Sequence, residues 1–431
     1  MGLPDFCNTF AIETEGKSMK TRIIMILLVG LMLISIGSTH AQETTPEPLP
    51  PQLEAQMAQL EAATATLRGL EILMPVTRAF PTRADTIAYL EDLYSRELPP
   101  DEMDRAKQLY VALGLLPADI DLLRVYLDLL GSQVAGFYDT DTQVMNVIPL
   151  RGDTPGATLS LTEQIIYVHE FTHALQDMHY DLDSLLPDDP DQTTPDRSLA
   201  TTALVEGDAS LIMQLYLQEV IASNPLAALS VLADAAALGA LTLPPGIPDI
   251  LNSELLFPYE QGLAFVTAIV NEGGIDALYA LYDDPPTTTE QILHPEAYQA
   301  GEGAQPVTLG AVTPGADWTQ LWDTTLGEFY VREHVALFAE SRTLAAQAAA
   351  GWGGDALRIW QQDDQIAMLL KLAWDTPADA DEFAAAYWAE AFTAACAEAE
   401  VGSLCAVTVN GETVIALAPD VETARALIAG V

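Results

Sequence analysis

The sequence is poor in positive charge, in cysteine and in long apolar runs. Of its 431 residues, 17 are basic and 62 acidic, a formal net charge of −45. Beyond residue 41 the only lysines are Lys107 and Lys371. Phosphate backbones and anionic lipid headgroups repel such a chain, so nucleic acid is excluded as a partner. The cysteines are Cys7, Cys396 and Cys405. The longest apolar run, Ile23 to Ile36, falls short of the roughly 20 residues that a membrane-spanning helix needs.

That run has the layout of a secretory signal. Lys20 and Arg22 precede it, and Thr39-His40-Ala41 offers a small-residue exit. Residues 1–41 are therefore expected to be removed, with 1–18 an over-extended start and Met19 the natural initiator. The mature chain is expected outside the cytoplasm, secreted or at the cell surface, with no stable membrane span. Removal of Cys7 leaves an even pair in an oxidising compartment, so a Cys396–Cys405 disulfide is expected.

Half of the residues are hydrophobic, ample for a core and for two or three domains. Residues 42–52 read as a Pro-rich linker. Residues 53–130 carry apolar side chains at helical spacing, punctuated by Pro99, Pro100 and Pro117. "GFYDTDTQVMNVI" reads as a hairpin whose second strand, Val144–Ile148, is a candidate edge for pairing with a peptide. Helices are expected over Leu161–Met178, Leu199–Ile221, Pro225–Leu241, Pro258–Val270 and 319–350. From 351 onward, strand, helix and Asn410-Gly411 turn signals give the order ββαββα. The expected fold is α+β: a mostly helical zincin-like core over 131–350, and a small α+β domain over 351–431.

Histidine is scarce too, yet three of the six lie in "YVHEFTHALQDMHYDL". His169 and His173 stand one helical turn apart, so both can present a ring nitrogen to one metal. Glu170 between them is placed to take a proton from water held there. Two imidazoles, a carboxylate and an open position suit zinc.

Two residues compete as third protein ligand. His179 completes a metzincin spacing, but that geometry needs the chain to leave the helix near Gln176, an ordinary helix former. Glu206 lies on the next expected helix, in "ALVEGDAS", and is favoured; Gly207 would allow that helix close to the motif helix. Asp177 is a candidate acceptor for the His173 ring N–H, and Ser210 is a neighbour of Glu206, whereas Asp208 should point elsewhere. Tyr259 in "PYEQG" and His294 in "EQILHPEAY" are the candidate oxyanion donors. His334 reads as a plain helix-face residue.

"HEFTHALQDMHYDL", "ALVEGDAS", "PYEQGLAFV" and "PPTTTEQILHPEAY" together resemble a group of exported, gluzincin-like metallopeptidases, from about Leu53 to "GWGGD". The wider clan, which includes thermolysin, implies two histidine ligands, one glutamate ligand and a glutamate general base. Residue by residue these fall on His169, His173, Glu206 and Glu170. One position departs: thermolysin-like enzymes carry Asp four residues after the ligand glutamate, and here Ser210 stands there.

The expected function is zinc-dependent hydrolysis of peptide or protein substrates. Two alternatives stand beside it: a zincin-fold surface protein that binds partners or builds structure without turnover, and a metal-dependent hydrolase of a non-peptide amide or ester.

Overall fold

Prolines and glycines set many of the element boundaries. The computed structural model describes residues 49–97, 100–185, 193–229, 246–388 and 396–431. The signal segment, Cys7, most of the linker and most of the apolar stretch 225–241 lie outside the described residues. Helix α1 (Pro51–Arg68) begins on a proline, tolerated at the first turn because its missing N–H would be unpaired there anyway. The helix thus starts inside the expected linker. Strand β1 (Thr77–Ala79) and helices α2 (Arg83–Glu97), α3 (Pro100–Ala112) and α4 (Leu122–Gln133) follow.

The expected hairpin is present as β2 (Gly136–Asp139) and β3 (Val144–Val147). Its second strand is not an edge. β3 lies between β1 and β2, parallel to the first and antiparallel to the second. Its backbone groups are used on both sides, so Val144–Ile148 cannot pair with a peptide. The correction comes from β1, whose three residues are too short for sequence alternation to reveal.

The motif helix α5 (Leu161–Tyr180) starts at a capping box. The Glu163 amide donates to the Ser160 hydroxyl, and the Glu163 carboxylate accepts from the Ser160 amide. Helix α6 (Pro195–Ser223) opens with Thr194 as cap and Pro195 in its first turn. Helix α7 (Asp249–Asp283) holds Pro258 in its interior rather than at its start and breaks at Gly274, where φ is 71°. By length and composition it is the one helix among the described residues apolar enough to cross a membrane. It packs extensively along α6.

Gly207 and Gly262 make that packing possible. A Cβ on Gly207 would collide with the Gly262 backbone, and one on Gly262 with the Ala203 carbonyl. Gly207 therefore brings α6 against α7, and not against the motif helix as the sequence implies.

Short helices α8 (Thr289–Leu293) and α9 (Pro295–Ala300) lead to β4 (Thr319–Thr324). The segment 319–324 reads as helix in the sequence but pairs antiparallel with β5 (Trp352–Gln362). The sheet thus recruits residues before the expected domain boundary at 351. Helices α10 (Gly327–Val335) and α11 (Arg342–Ala349) intervene, and β6 (Gln365–Trp374), α12 (Pro377–Trp388), β7 (Cys396–Ala399), β8 (Gly402–Val409), β9 (Glu412–Ala418) and α13 (Val421–Ala429) complete the chain. The six strands run antiparallel in the order β4-β5-β6-β9-β8-β7.

Cys396 and Cys405 face each other in the β7–β8 register and form a disulfide. Alternation sorts the sheet's side chains. Leu357, Ile359, Met368, Leu370 and Ile415 enter the large core shared with the helices, while Trp360, Leu369 and Ala416 pack under α13. The large core runs through α2–α4, α6, α7, α10 and this sheet face, so the regions share one interior. The architecture is α+β, mostly helical, with a β-sheet at the C-terminal end.

Candidate metal centre

The motif helix does what its spacing demands. His169 and His173, one turn apart and both buried, bring their Nε2 atoms to 3.2 Å. Glu206 arrives from α6, its Oε2 3.1 Å from His169 Nε2 and 3.4 Å from His173 Nε2. Among the described residues this is the one group of three or more potential ligands that converges in this way. A tetrahedral zinc with bonds of roughly 2.0–2.1 Å separates its ligand atoms by about 3.3–3.4 Å. The three observed separations, 3.1, 3.2 and 3.4 Å, lie within about 0.3 Å of those tetrahedral edges. The donor set, two imidazoles and a carboxylate, therefore fits zinc in composition and in spacing.

The electrostatics ask for positive charge at the same point. Burial works against a charged His173 ring, but Glu206 and Glu170 outweigh it and the ring's pKa rises. Burial works against a charged Glu206 as well, yet His173 and His169 hold it below the usual carboxylate range. On His169 burial prevails and the pKa falls. A proton or a metal ion can supply the charge between rings and carboxylate.

Glu170 lies beside the same group, within the electrostatic reach of His173 and Glu206. Both of its carboxylate oxygens are buried and make no hydrogen bond of ordinary geometry. Burial raises its pKa to about 8, with Glu206 adding and His173 opposing. Gly136, at the start of β2, lies so close that an added Cβ would sit 3.1 Å from Glu170 Cγ. The hairpin thus walls the glutamate in.

Tyr259, one turn before Gly262 on α7, reaches the cluster. Its ring centroid lies 6.0 Å from that of His169, and its phenol interacts with Glu206 and Glu170. Burial, then these two carboxylates, raise its pKa well above the ordinary value, so it stays protonated and able to donate. The other candidate donor, His294, is elsewhere. It links α8 to α9 and pairs with Glu328 of α10 at 3.0 Å. Its described contacts do not include the cluster.

His179 is also outside the cluster. The helix continues through Gln176 to Tyr180, which carries His179 past the ligands; its Nε2 meets the Glu71 carbonyl at 2.8 Å. His334 is more than a helix-face residue. It is buried, with Nδ1 2.7 Å from the Leu113 carbonyl and Nε2 2.7 Å from the Tyr387 hydroxyl.

The partner of the His173 ring differs from the expectation. Asp177 instead accepts from the Tyr138 hydroxyl at 2.9 Å and the Leu182 amide at 3.3 Å. Gln176 takes the place beside the ring, with its Oε1 2.8 Å from His173 Nδ1. Asp208, as expected, does not join Glu206 at the cluster; it accepts from the Gln176 amide at 3.0 Å, the Tyr282 hydroxyl at 2.7 Å and the Arg68 guanidinium at 2.9 Å. The Ser210 hydroxyl is buried with no partner. Gln176 left one trace in the sequence, its place three residues after His173; Arg68 left none, because only the tertiary fold brings α1 behind α6.

The cluster lies deep. The His169 side chain is 6% exposed, against 0% for His173 and 2% for Glu206, so the centre is nearest to the surface at His169.

Comparison with known proteins adds little to this geometry. No curated protein matches the chain. A solved structure from Chloroflexus aurantiacus, described as a "putative hydrolase with a novel fold", is 18% identical over 66% of this chain and 98% of that one, with a TM-score of 0.35. A likeness that loose carries no argument. Residues 318–428, the part that holds the C-terminal sheet, match a family model described as a domain of unknown function, DUF8575.

Proposed function

We propose that the protein is a zinc-dependent metallopeptidase with a gluzincin-like centre, exported from the cytoplasm. The observation that carries this reading is the tetrahedral spacing of His169, His173 and Glu206 beside an unpartnered, buried Glu170. A metal alone needs only the three ligands. A carboxylate buried without a hydrogen bond of ordinary geometry costs free energy, and its presence is explained by a proton that it must accept.

Zinc bound to these residues would acidify a water and polarise a substrate carbonyl. Glu170 then takes the proton of the attacking water. It passes that proton on to the leaving amine. Tyr259, protonated and beside the ligands, donates to the oxygen on which negative charge develops. His294, paired with Glu328, is left with a structural part. Export is supported by the signal-like N-terminus and the Cys396–Cys405 disulfide, which belongs to an oxidising compartment.

A peptide-library cleavage screen on the zinc-loaded protein tests the reading, with Glu170→Gln as control. Cleavage by the wild type and not by the variant supports it. A wild type that cleaves only simple esters or non-peptide amides would keep the metal chemistry and change the substrate class. The depth of the cluster favours a second reading, a closed metal centre in a surface protein without turnover. That reading predicts bound zinc, no cleavage, and full stability in Glu170→Gln.

A further inference from the structure

We infer that Arg68, on the first helix, fixes the proton position of His173 through Asp208 and Gln176, and so makes the N-terminal helix a permanent part of the metal centre. The inference rests on the metal reading above and deepens it.

The argument follows donors and acceptors. Arg68 is fully buried, with its Nε 2.8 Å from one Asp208 oxygen and 2.9 Å from the other. The rings of Tyr180, Tyr279 and Tyr282 surround its guanidinium at 5.9, 5.3 and 5.8 Å, a setting that suits a cation. Asp208 Oδ2 already accepts from the Arg68 guanidinium and the Tyr282 hydroxyl, and the Val205 carbonyl can only accept. One end of the Gln176 amide lies 3.0 Å from Asp208 Oδ2 and 3.0 Å from the Val205 carbonyl. Both neighbours are acceptors, so that end is the NH₂ group.

The other end is therefore oxygen, and it faces His173 Nδ1 at 2.8 Å. An amide oxygen cannot donate, so Nδ1 carries the hydrogen. The lone pair available for a metal is left on Nε2, the atom that faces Glu206 and His169. A reversed amide would set oxygen against two acceptors and NH₂ against the ring. Arg68, through Asp208 and together with the Val205 carbonyl, thus holds the tautomer of a ligand 105 residues away in the chain. His169 has no such support, since its Nδ1 is buried without a partner. The centre has one imidazole held by a relay and one that is not. Gln176 is a positioning residue, and the segment carrying Arg68 cannot be a pro-segment that is discarded on activation.

The test is zinc affinity by chelator competition on the full chain, beside the thermal midpoint of the metal-free protein. Gln176→Met keeps the length and abolishes both roles of the amide. The expected result is zinc binding weakened by about 10–100-fold, the usual cost of removing such an outer partner, with metal-free unfolding still cooperative. Affinity within about threefold of wild type would overturn the relay, since the outer partner would then count for nothing. A fall in the metal-free midpoint with unchanged affinity would make the network merely structural and overturn it equally. Should Gln176→Met fail to fold, Asp208→Asn replaces it: the shape stays, the ion pair to Arg68 goes and the amide loses one of the two acceptors that direct it. Weaker zinc binding there supports the relay, and unchanged binding overturns it. A wild type that takes up no zinc defeats the metal reading and the relay together. A wild type that binds zinc and cleaves peptides, with the variant's affinity unchanged, defeats the relay alone.

Discussion

Glu170 carries the reaction in the proposed function, and a single atom exchange tests it. Glu170→Gln keeps the volume and removes the base. Zinc should stay bound, and kcat should fall by about 10²–10⁴-fold, as typical for loss of a general base. A variant that keeps full turnover would remove Glu170 from the mechanism. Tyr259→Phe should act on kcat more than on KM, because its hydroxyl meets charge that develops only in the transition state; a kinetic comparison on one peptide reads the split. The motif residues were legible because helical spacing alone places His169, Glu170 and His173. Gln176 and Arg68 were not, because their partners come from other helices. Tyr259 and His294 looked alike in sequence; only the path of α7 and the Glu328 partner separate them.

At the scale of elements, the approach of α6 to α7 holds Glu206 in place. Gly207→Ala would press a methyl group into the Gly262 backbone. Overpacking of this kind costs about 1–3 kcal/mol, and here it also shifts α6 against the motif helix. A lower thermal midpoint together with weaker zinc binding is expected; a variant with both unchanged would show that the helices have slack. The long helices were legible from their apolar spacing, and the strand pairs after 351 from alternation and turn residues. The strand at 319–324 was not, because it is a sheet edge with a single buried side chain and its paired residues lie 33 to 42 positions later. Pro258 misled as a helix start, since α7 carries it in its interior.

Over the whole molecule, excess acid reaches the interior. Glu254 is buried, accepts from Tyr110 at 2.7 Å and Tyr330 at 2.9 Å, and its pKa is raised by burial to about 8. Burial also raises Asp196 to about 7 and Asp355 to about 6. A carboxyl whose folded pKa is raised binds protons more tightly in the folded state. Its contribution to stability is complete below the unfolded value and is lost as pH rises to the folded one. For Glu254 that window runs from the ordinary 4.5 to about 8. The loss is of the order of a few kcal/mol, at about 1.4 kcal/mol per pH unit. The metal-free protein should therefore unfold at lower temperature at pH 8 than at pH 5. Glu254→Gln should narrow the difference by gaining at pH 8; an unchanged profile would mean that Glu254 does not titrate in this range.

The metal centre itself is tested most directly by the zinc content of purified protein, wild type beside Glu206→Ala and His179→Ala. About one zinc per chain is expected in the wild type and in His179→Ala, whose imidazole reaches the Glu71 carbonyl and not the cluster. Glu206→Ala should lose the metal on dialysis, because two imidazoles alone hold zinc poorly. Zinc kept by Glu206→Ala and lost by His179→Ala would contradict the centre described here.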